Sequence, residues 1–195
     1  MTRYDIPERK SCDNRYDAIY FMHSLHHFDD FNTIFAHCKQ LLNPNGVLIA
    51  VEPARDWHTV TDMTFVALIR LLLADYGGWY ETLSMPQTLQ DLEHIVSEML
   101  NEYREARDKG EPQQSPHDNS SHASDMLVAL RAHFEEIAFA KKFAFLPRII
   151  GGIRGTDEEQ IMRIVALLTL FDEFAVNSGV LQPGVYEFAG RLRKT

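Results

Sequence analysis

No glycine precedes Tyr16, and the 195 residues hold only two cysteines, a deficit of positive charge and no long uninterrupted apolar run. Each shortage removes a class of protein. Lys and Arg number 19 against 28 Asp and Glu, a formal net charge of −9. A general nucleic-acid binder needs a cationic surplus against phosphate, so nucleic acid is not an expected partner. The local basic groups Lys141-Lys142 and Arg191, Arg193 and Lys194 fall on predicted strands and read as solvated edges. Cys12 and Cys38 are too few for a disulfide framework and have no zinc-like spacing. They read as reduced thiols of a cytoplasmic protein. The polar start Met1-Thr2-Arg3-Tyr4-Asp5 lacks the apolar core of a signal peptide. Phe65 to Ala74 is interrupted by Arg70, and Ile161 to Ala175 carries Arg163, Asp172 and Glu173. Both are expected to be core or interface helices, not membrane spans.

What is present begins with Tyr16 to Phe21, rich in Tyr, Ile and Phe, as in a parallel strand covered on both faces. Asp29-Asp30 put negative charge at a helix start, and Phe31, Ile34, Phe35, Cys38 and Leu42 follow at helical spacing. Asn43-Pro44-Asn45-Gly46 predicts a turn, then Val47 to Val51 a second buried strand. Trp57 to Tyr80 predicts a mostly helical apolar segment ended by Gly77-Gly78, and Leu89 to Arg107 a longer amphipathic helix. Lys109 to Ser121, rich in Gly, Pro, Gln, Ser and Asn, predicts an exposed, mobile, protease-sensitive loop. Ser124 can cap a helix over Met126 to Phe134, with a strand over Ile137 to Leu146. Thr156-Asp157-Glu158-Glu159 reads as a capping box for a helix to about Val176. Gln182-Pro183-Gly184 turns the chain into a last strand, Val185 to Leu192.

The stretch Tyr16-Asp17-Ala18-Ile19-Tyr20-Phe21-Met22-His23-Ser24-Leu25-His26-His27-Phe28, followed by Leu41-Leu42-Asn43-Pro44-Asn45-Gly46-Val47-Leu48-Ile49-Ala50-Val51-Glu52, resembles the middle of a class I S-adenosylmethionine-dependent methyltransferase. Phe134-Glu135-Glu136-Ile137, Phe171 to Phe174, Ser178-Gly179-Val180-Leu181-Gln182-Pro183 and Arg193-Lys194 follow the order of that family's tail. The resemblance implies an α/β fold: a partial Rossmann-like, mostly parallel sheet with helices on both faces and a helical insertion. Its strands correspond to the family's fourth to seventh, the last inserted antiparallel to the rest. One domain is expected over 1–195, its sheet core from 16–56 and 123–195, its insertion or cap from 57–122. In the family a glycine-rich loop and an acidic residue come before this stretch and hold the cofactor. Residues 1–15 supply no such loop, so the expectation is of an incomplete methyltransferase that binds S-adenosylmethionine weakly or not at all.

Carried over residue by residue, the resemblance implies that Phe21, Met22 and His23 line the methionine part of S-adenosylmethionine, and that Asp5 meets the adenine amine. The plain alternatives are that Phe21 and Met22 finish the strand core and that Asp5 is solvated. His23 or His27 paired with Glu52 is the available acid–base dyad for a hydroxyl or amine acceptor, since a neutral imidazole can take the proton. Proximity and orientation alone are the competing mechanism. The clustering of His23, His26 and His27 near Asp29-Asp30 is weighed as a metal site and set aside, the phrase being common in the family without one. Gly151-Gly152-Ile153-Arg154-Gly155 lacks phosphate-loop spacing and precedes three carboxylates, so it reads as a turn. Trp57, Trp79, Tyr80 and Met85 enclose an acceptor or simply pack as core.

Two functions follow: a methyltransferase acting on a small-molecule acceptor, or a non-catalytic methyltransferase-like protein that binds a partner. The strand 16–21 has no Lys, Pro or bulge to protect it as an edge, so homo-oligomer formation along it is expected.

Overall fold

The computed structural model describes residues 15–104 and 122–193; Asp5 and the loop Lys109 to Ser121 lie outside the described residues. Tyr16–Met22 forms strand β1, Phe31–Leu41 helix α1 and Leu42–Pro53 strand β2, with β1 and β2 parallel. Asp30 starts α1: one carboxyl oxygen accepts from the Asn32 and Thr33 amides at 2.9 and 3.1 Å, the other from the Thr33 hydroxyl at 2.6 Å. The hydroxyl contact, reinforced by the Thr33 amide, holds the Asp30 carboxyl below its ordinary range.

The turn expected at Asn43–Gly46 is a bulge within β2. Tyr16 pairs with Leu42 while Ala18 pairs with Val47, so β2 loops out its surplus residues and keeps Pro44 and Asn45 exposed. Gly46 closes the bulge where a Cβ would come within 2.9 Å of the Leu42 side chain and 3.0 Å of the Tyr16 carbonyl.

Helices α2 (Val60–Asp75), α3 (Leu89–Arg104) and α4 (Ala123–His133), strand β3 (Phe134–Lys142), helix α5 (Glu158–Asn177) and strand β4 (Val185–Leu192) complete the order. Helices α2 and α5 end alike, on Gly77 (φ +69°) and Gly179 (φ +72°). In each, the next amide reaches back five residues, Gly78 to the Leu73 carbonyl and Val180 to that of Ala175, closing the last turn. The N-cap of α5 is Asp157, one residue later than the box read from Thr156. Asp157 accepts from the Gln160 amide at 2.8 Å, and the Gln160 side chain accepts from the Thr156 amide at 2.7 Å. Strand β3 starts at Phe134, earlier than its apolar run suggests, and stops at Lys142 because Phe143 turns to φ +52°.

The sheet order is β1-β2-β4-β3. Strand β4 is antiparallel to both β2 and β3, so three strands share one direction and the last is inserted against them. This is the mostly parallel α/β arrangement that the sequence implies. Period-two alternation decides what is covered. Phe21, Leu48, Ala50, Tyr186 and Phe188 lie on one face, beneath Ile34, Phe35 and Cys38 of α1 and Met126, Leu127 and Leu130 of α4, and form one core. A second core joins α2, α3 and α5 through Met63, Val66, Ala67, Val96 and Ala175, with Phe145 and Ile149 from the segment after β3.

Burial pushes the Cys38 thiol up to about 11 from an ordinary 9.0. It is expected to resist alkylation at pH 8 in the native protein and to react once urea unfolds the chain, read by mass spectrometry of its peptide. The unfolded chain loses this proton first, so folding stability should fall as pH rises from 9 towards 11.

Candidate functional site

In parallel sheets the carboxyl ends of the strands gather the loops that hold ligands. Here β1 ends at Met22 and β2 at Pro53, and one buried side chain ties their loops together. Leu48, Ala50 and Glu52 alternate onto the covered face, so the period that buries two apolar residues also carries Glu52 inward, to 0 % exposure. Oε1 of Glu52 accepts from the Ser24 and Leu25 amides at 2.8 and 2.7 Å, and Oε2 lies 2.7 Å from His26 Nδ1. A carboxylate only accepts, so Nδ1 carries the proton in this pair. The His26 ring is itself buried and lies 4.2 Å, centroid to centroid, from that of His27.

His23 begins the loop at φ +49°, a left-handed conformation uncommon for a side chain of this kind, and its amide donates to the Val51 carbonyl at 2.9 Å. The turn out of β1 is thus pinned twice, by a backbone bond to β2 and by Glu52. Met22, His23 and His27 are exposed on its outer side, whereas Phe21 is buried in the first core. The structure therefore brings Glu52 together with His26 and leaves His23 and His27 facing outward. Asp5 lies outside the described residues.

Three residues of this region take roles that the sequence did not assign to them. His26 is one. Asp56, after β2, accepts from the Ala123 amide (2.8 Å), the Ser124 amide (3.3 Å) and the Ser124 hydroxyl (2.6 Å), and so supplies from 67 residues away the cap that Ser124 was expected to give α4. Tyr186 of β4 pairs with Glu52 across the sheet and is wholly buried. Burial first, then the neighbouring Glu52 and Asp56, push its hydroxyl far above the ordinary range. Alternation could have flagged its burial; only the strand pairing shows what it faces.

The aromatic residues divide. Trp57 is half-buried, with the Lys141 ammonium 4.6 Å from its ring centre. Trp79 is core: its ring packs against Gly152, where a Cβ would come within 2.1 Å of it, and Arg70 lies 5.4 Å from its ring centre. Tyr80 is exposed and Met85 half-buried. An open depression of about 510 Å³ lies at the opposite end of the sheet, lined by Arg131, Phe134, Glu135, Glu136 and Arg193. Its charges are largely paired, Arg131 with Glu136 at 2.8 Å and Glu135 with Arg191 at 2.9 Å. Among the described residues no group of three or more His, Cys, Asp or Glu is placed to hold a metal ion, and no helix is long and apolar enough to cross a membrane.

Comparison with known proteins follows this geometry. Residues 1–103, more than half of the chain, match the family model described as a methyltransferase domain. No curated protein matches. Similar solved structures include a cyclopropane-fatty-acyl-phospholipid synthase-like protein from Lactobacillus casei, at 10% identity and a TM-score of 0.36, with 92% of this chain and 57% of that one covered. PKMT2 from Rickettsia typhi is similar at 12% identity and a TM-score of 0.36, with 95% and 37% covered. The chain thus spans between about a third and about three fifths of the length of these two structures. The family match covers the β1–α1–β2 unit, and the strand order places the last strand antiparallel between its neighbours: the chain belongs to the methyltransferase-domain family, with a class I S-adenosylmethionine-dependent methyltransferase-like fold.

Proposed function

We propose that the chain is an S-adenosylmethionine-dependent methyltransferase domain related to those that modify small molecules, with Met22 and His23 beside the methionine end of the cofactor. The observation that carries this reading is the Glu52-anchored loop at the carboxyl ends of two parallel strands. A loop tied to β2 by four hydrogen bonds, three of them to Glu52, offers an ordered wall, and ordering in advance is what positions a ligand at low entropic cost. His23 and His27, on the exposed side of that loop, are the side chains available to take a proton from a hydroxyl or amine acceptor. Glu52 supports the loop from within, both of its oxygens being engaged.

The fit to the cofactor is partial. Its ribose hydroxyls call for a free carboxylate and its amino-acid end for a close backbone cradle. Among the described residues Glu52 is occupied internally, and no glycine lies in the loop after β1. The described residues suit the methionine end and not the ribose and adenine, so no transfer step is derived through the cofactor. The same observation favours a second reading, a methyltransferase-like protein that binds a partner without catalysis.

Titration with S-adenosylhomocysteine separates the two. The expected affinity by calorimetry is weaker than micromolar, less favourable than about −8 kcal/mol. Nuclear magnetic resonance at millimolar ligand should then show Met22 amide and His23 and His27 ring signals moving. Shifts confined to that loop support the first reading, and their absence sinks it in favour of the second. Micromolar binding would overturn the partial fit.

A further inference from the structure

We propose that the Tyr186 hydroxyl, together with the carboxylates of Glu52 and Asp56, holds one internal water molecule. That water ties the loop after β1 to the start of α4. Tyr186 is 0 % exposed, and its hydroxyl has no hydrogen-bond partner among the described residues. A hydroxyl taken out of solvent without a replacement bond is costly, and folded proteins commonly meet such groups with ordered water.

The polar groups around this hydroxyl are few and fixed in place. Tyr186 stands directly opposite Glu52 in the β2–β4 pair, so the two side chains leave the same sheet face with their Cβ atoms roughly 5 Å apart. The Tyr186 ring lies 6.2 Å, centroid to centroid, from that of Trp57, whose preceding residue is Asp56. Burial, then the charges of Glu52 and Asp56, keep the hydroxyl protonated, so it is a donor in need of an acceptor. Each carboxylate is already held by three donors. Glu52 takes the Ser24 and Leu25 amides and His26 Nδ1; Asp56 takes the Ala123 amide and the amide and hydroxyl of Ser124. Neither is free to swing across to the ring. A carboxylate oxygen has room for about two bonds, and among the described residues Glu52 Oε2 and Asp56 Oδ1 accept one apiece. A water molecule supplies what the three groups lack: an acceptor for the hydroxyl and a donor for each carboxylate. Three partners are typical of a buried water. Glu52 anchors the loop after β1 and Asp56 caps α4, so the bridge makes Tyr186 a positioning residue for that loop. No cofactor enters this assignment.

A crystal structure of the unliganded chain should show one water oxygen within hydrogen-bond distance, about 3 Å, of Tyr186 Oη and of an oxygen of both Glu52 and Asp56. Tyr186→Phe keeps the ring and removes only the hydroxyl. It should lower Tm by about 2–4 °C, the shift expected for one lost hydrogen bond in a chain of this size. Amide exchange at Leu25 and Ala123 should quicken several-fold in this variant, whereas the Ala144 amide, which donates to Asp172, keeps its rate. An orphaned hydroxyl predicts the reverse, because its removal relieves an unmet donor. A variant Tm equal to or above the parent's, or unchanged exchange at Leu25 and Ala123, would overturn the proposal. So would a crystal structure with no water at that place, or with the hydroxyl donating directly to either carboxylate.

Discussion

Replacing Glu52 by alanine is expected to cost about 3–5 kcal/mol of folding stability, since it strips three buried polar groups of their partner at roughly 1–3 kcal/mol each before relaxation. For a chain of this size that lowers Tm by on the order of 10 °C. The substitution deletes an acceptor for three donors: the Ser24 amide, the Leu25 amide and His26 Nδ1, held at 2.7 to 2.8 Å. Glu52 is fully buried and the His26 side chain nearly so, so water does not replace the lost bonds unless the site opens. Glu52→Gln should cost less, about 1–2 kcal/mol. The amide oxygen still accepts from Ser24 and Leu25, and His26 can present its unprotonated nitrogen to the amide N–H₂. Urea denaturation of both variants, with hydrogen exchange at the Ser24 and Leu25 amides, measures the effect. Equal stability of Glu52→Ala and the parent would mean that the loop is held by something else.

The second large effect is expected at Asp172, which carries no signal in the sequence beyond its place on α5. Its Oδ1 accepts from the Ala144, Phe145 and Leu146 amides at 3.0, 2.7 and 2.8 Å, and Oδ2 shares the Ala144 amide at 3.0 Å. Successive amides aimed at one carboxyl group form an anion-binding concavity, here filled by a side chain of the same protein. The arrangement holds the segment that leaves β3 through Phe143 at φ +52° and delivers Phe145 to the second core. Asp172→Ala orphans three buried donors and should destabilise by about 3–5 kcal/mol, each unsatisfied group costing roughly 1–3 before relaxation. Asp172→Asn keeps one oxygen for Phe145 and Leu146 and should recover part of the loss. Calorimetric melting tests this: an alanine variant within 1 °C of the parent would show that the segment does not depend on Asp172.

Much of the fold was legible because its signals are local. The spacing of Ile34, Phe35 and Cys38 along α1, the Asp30 start, Gly77 as a helix stop and the bounds of β4 each depend on residues within one or two turns of each other. The Asn43–Gly46 segment misled for a physical reason. Turn residues favour chain reversal when nothing competes, but pairing with β1 on both sides of them, at Tyr16 and at Ala18, kept the chain in one strand direction and turned the reversal into a bulge. Strand β3 was placed late because its apolar residues cluster after Glu136, whereas β4 pairs with it from Phe134 onward.

The candidate site followed the same division. By itself the sequence determined that Glu52 ends a buried strand and that three histidines follow the preceding one, since strand period and turn composition act over a few residues. Which histidine meets Glu52 was decided by tertiary structure: the short loop after β1 carries His26 inward and turns His23 out through its left-handed backbone. Asp56 capping α4, Asp172 gathering three amides and Tyr186 lying beside Glu52 were likewise settled only in three dimensions. Those partners stand between 26 and 134 residues apart. Periodicity says which face of a strand or helix a residue occupies; it carries no information about the residue that packing brings to meet it.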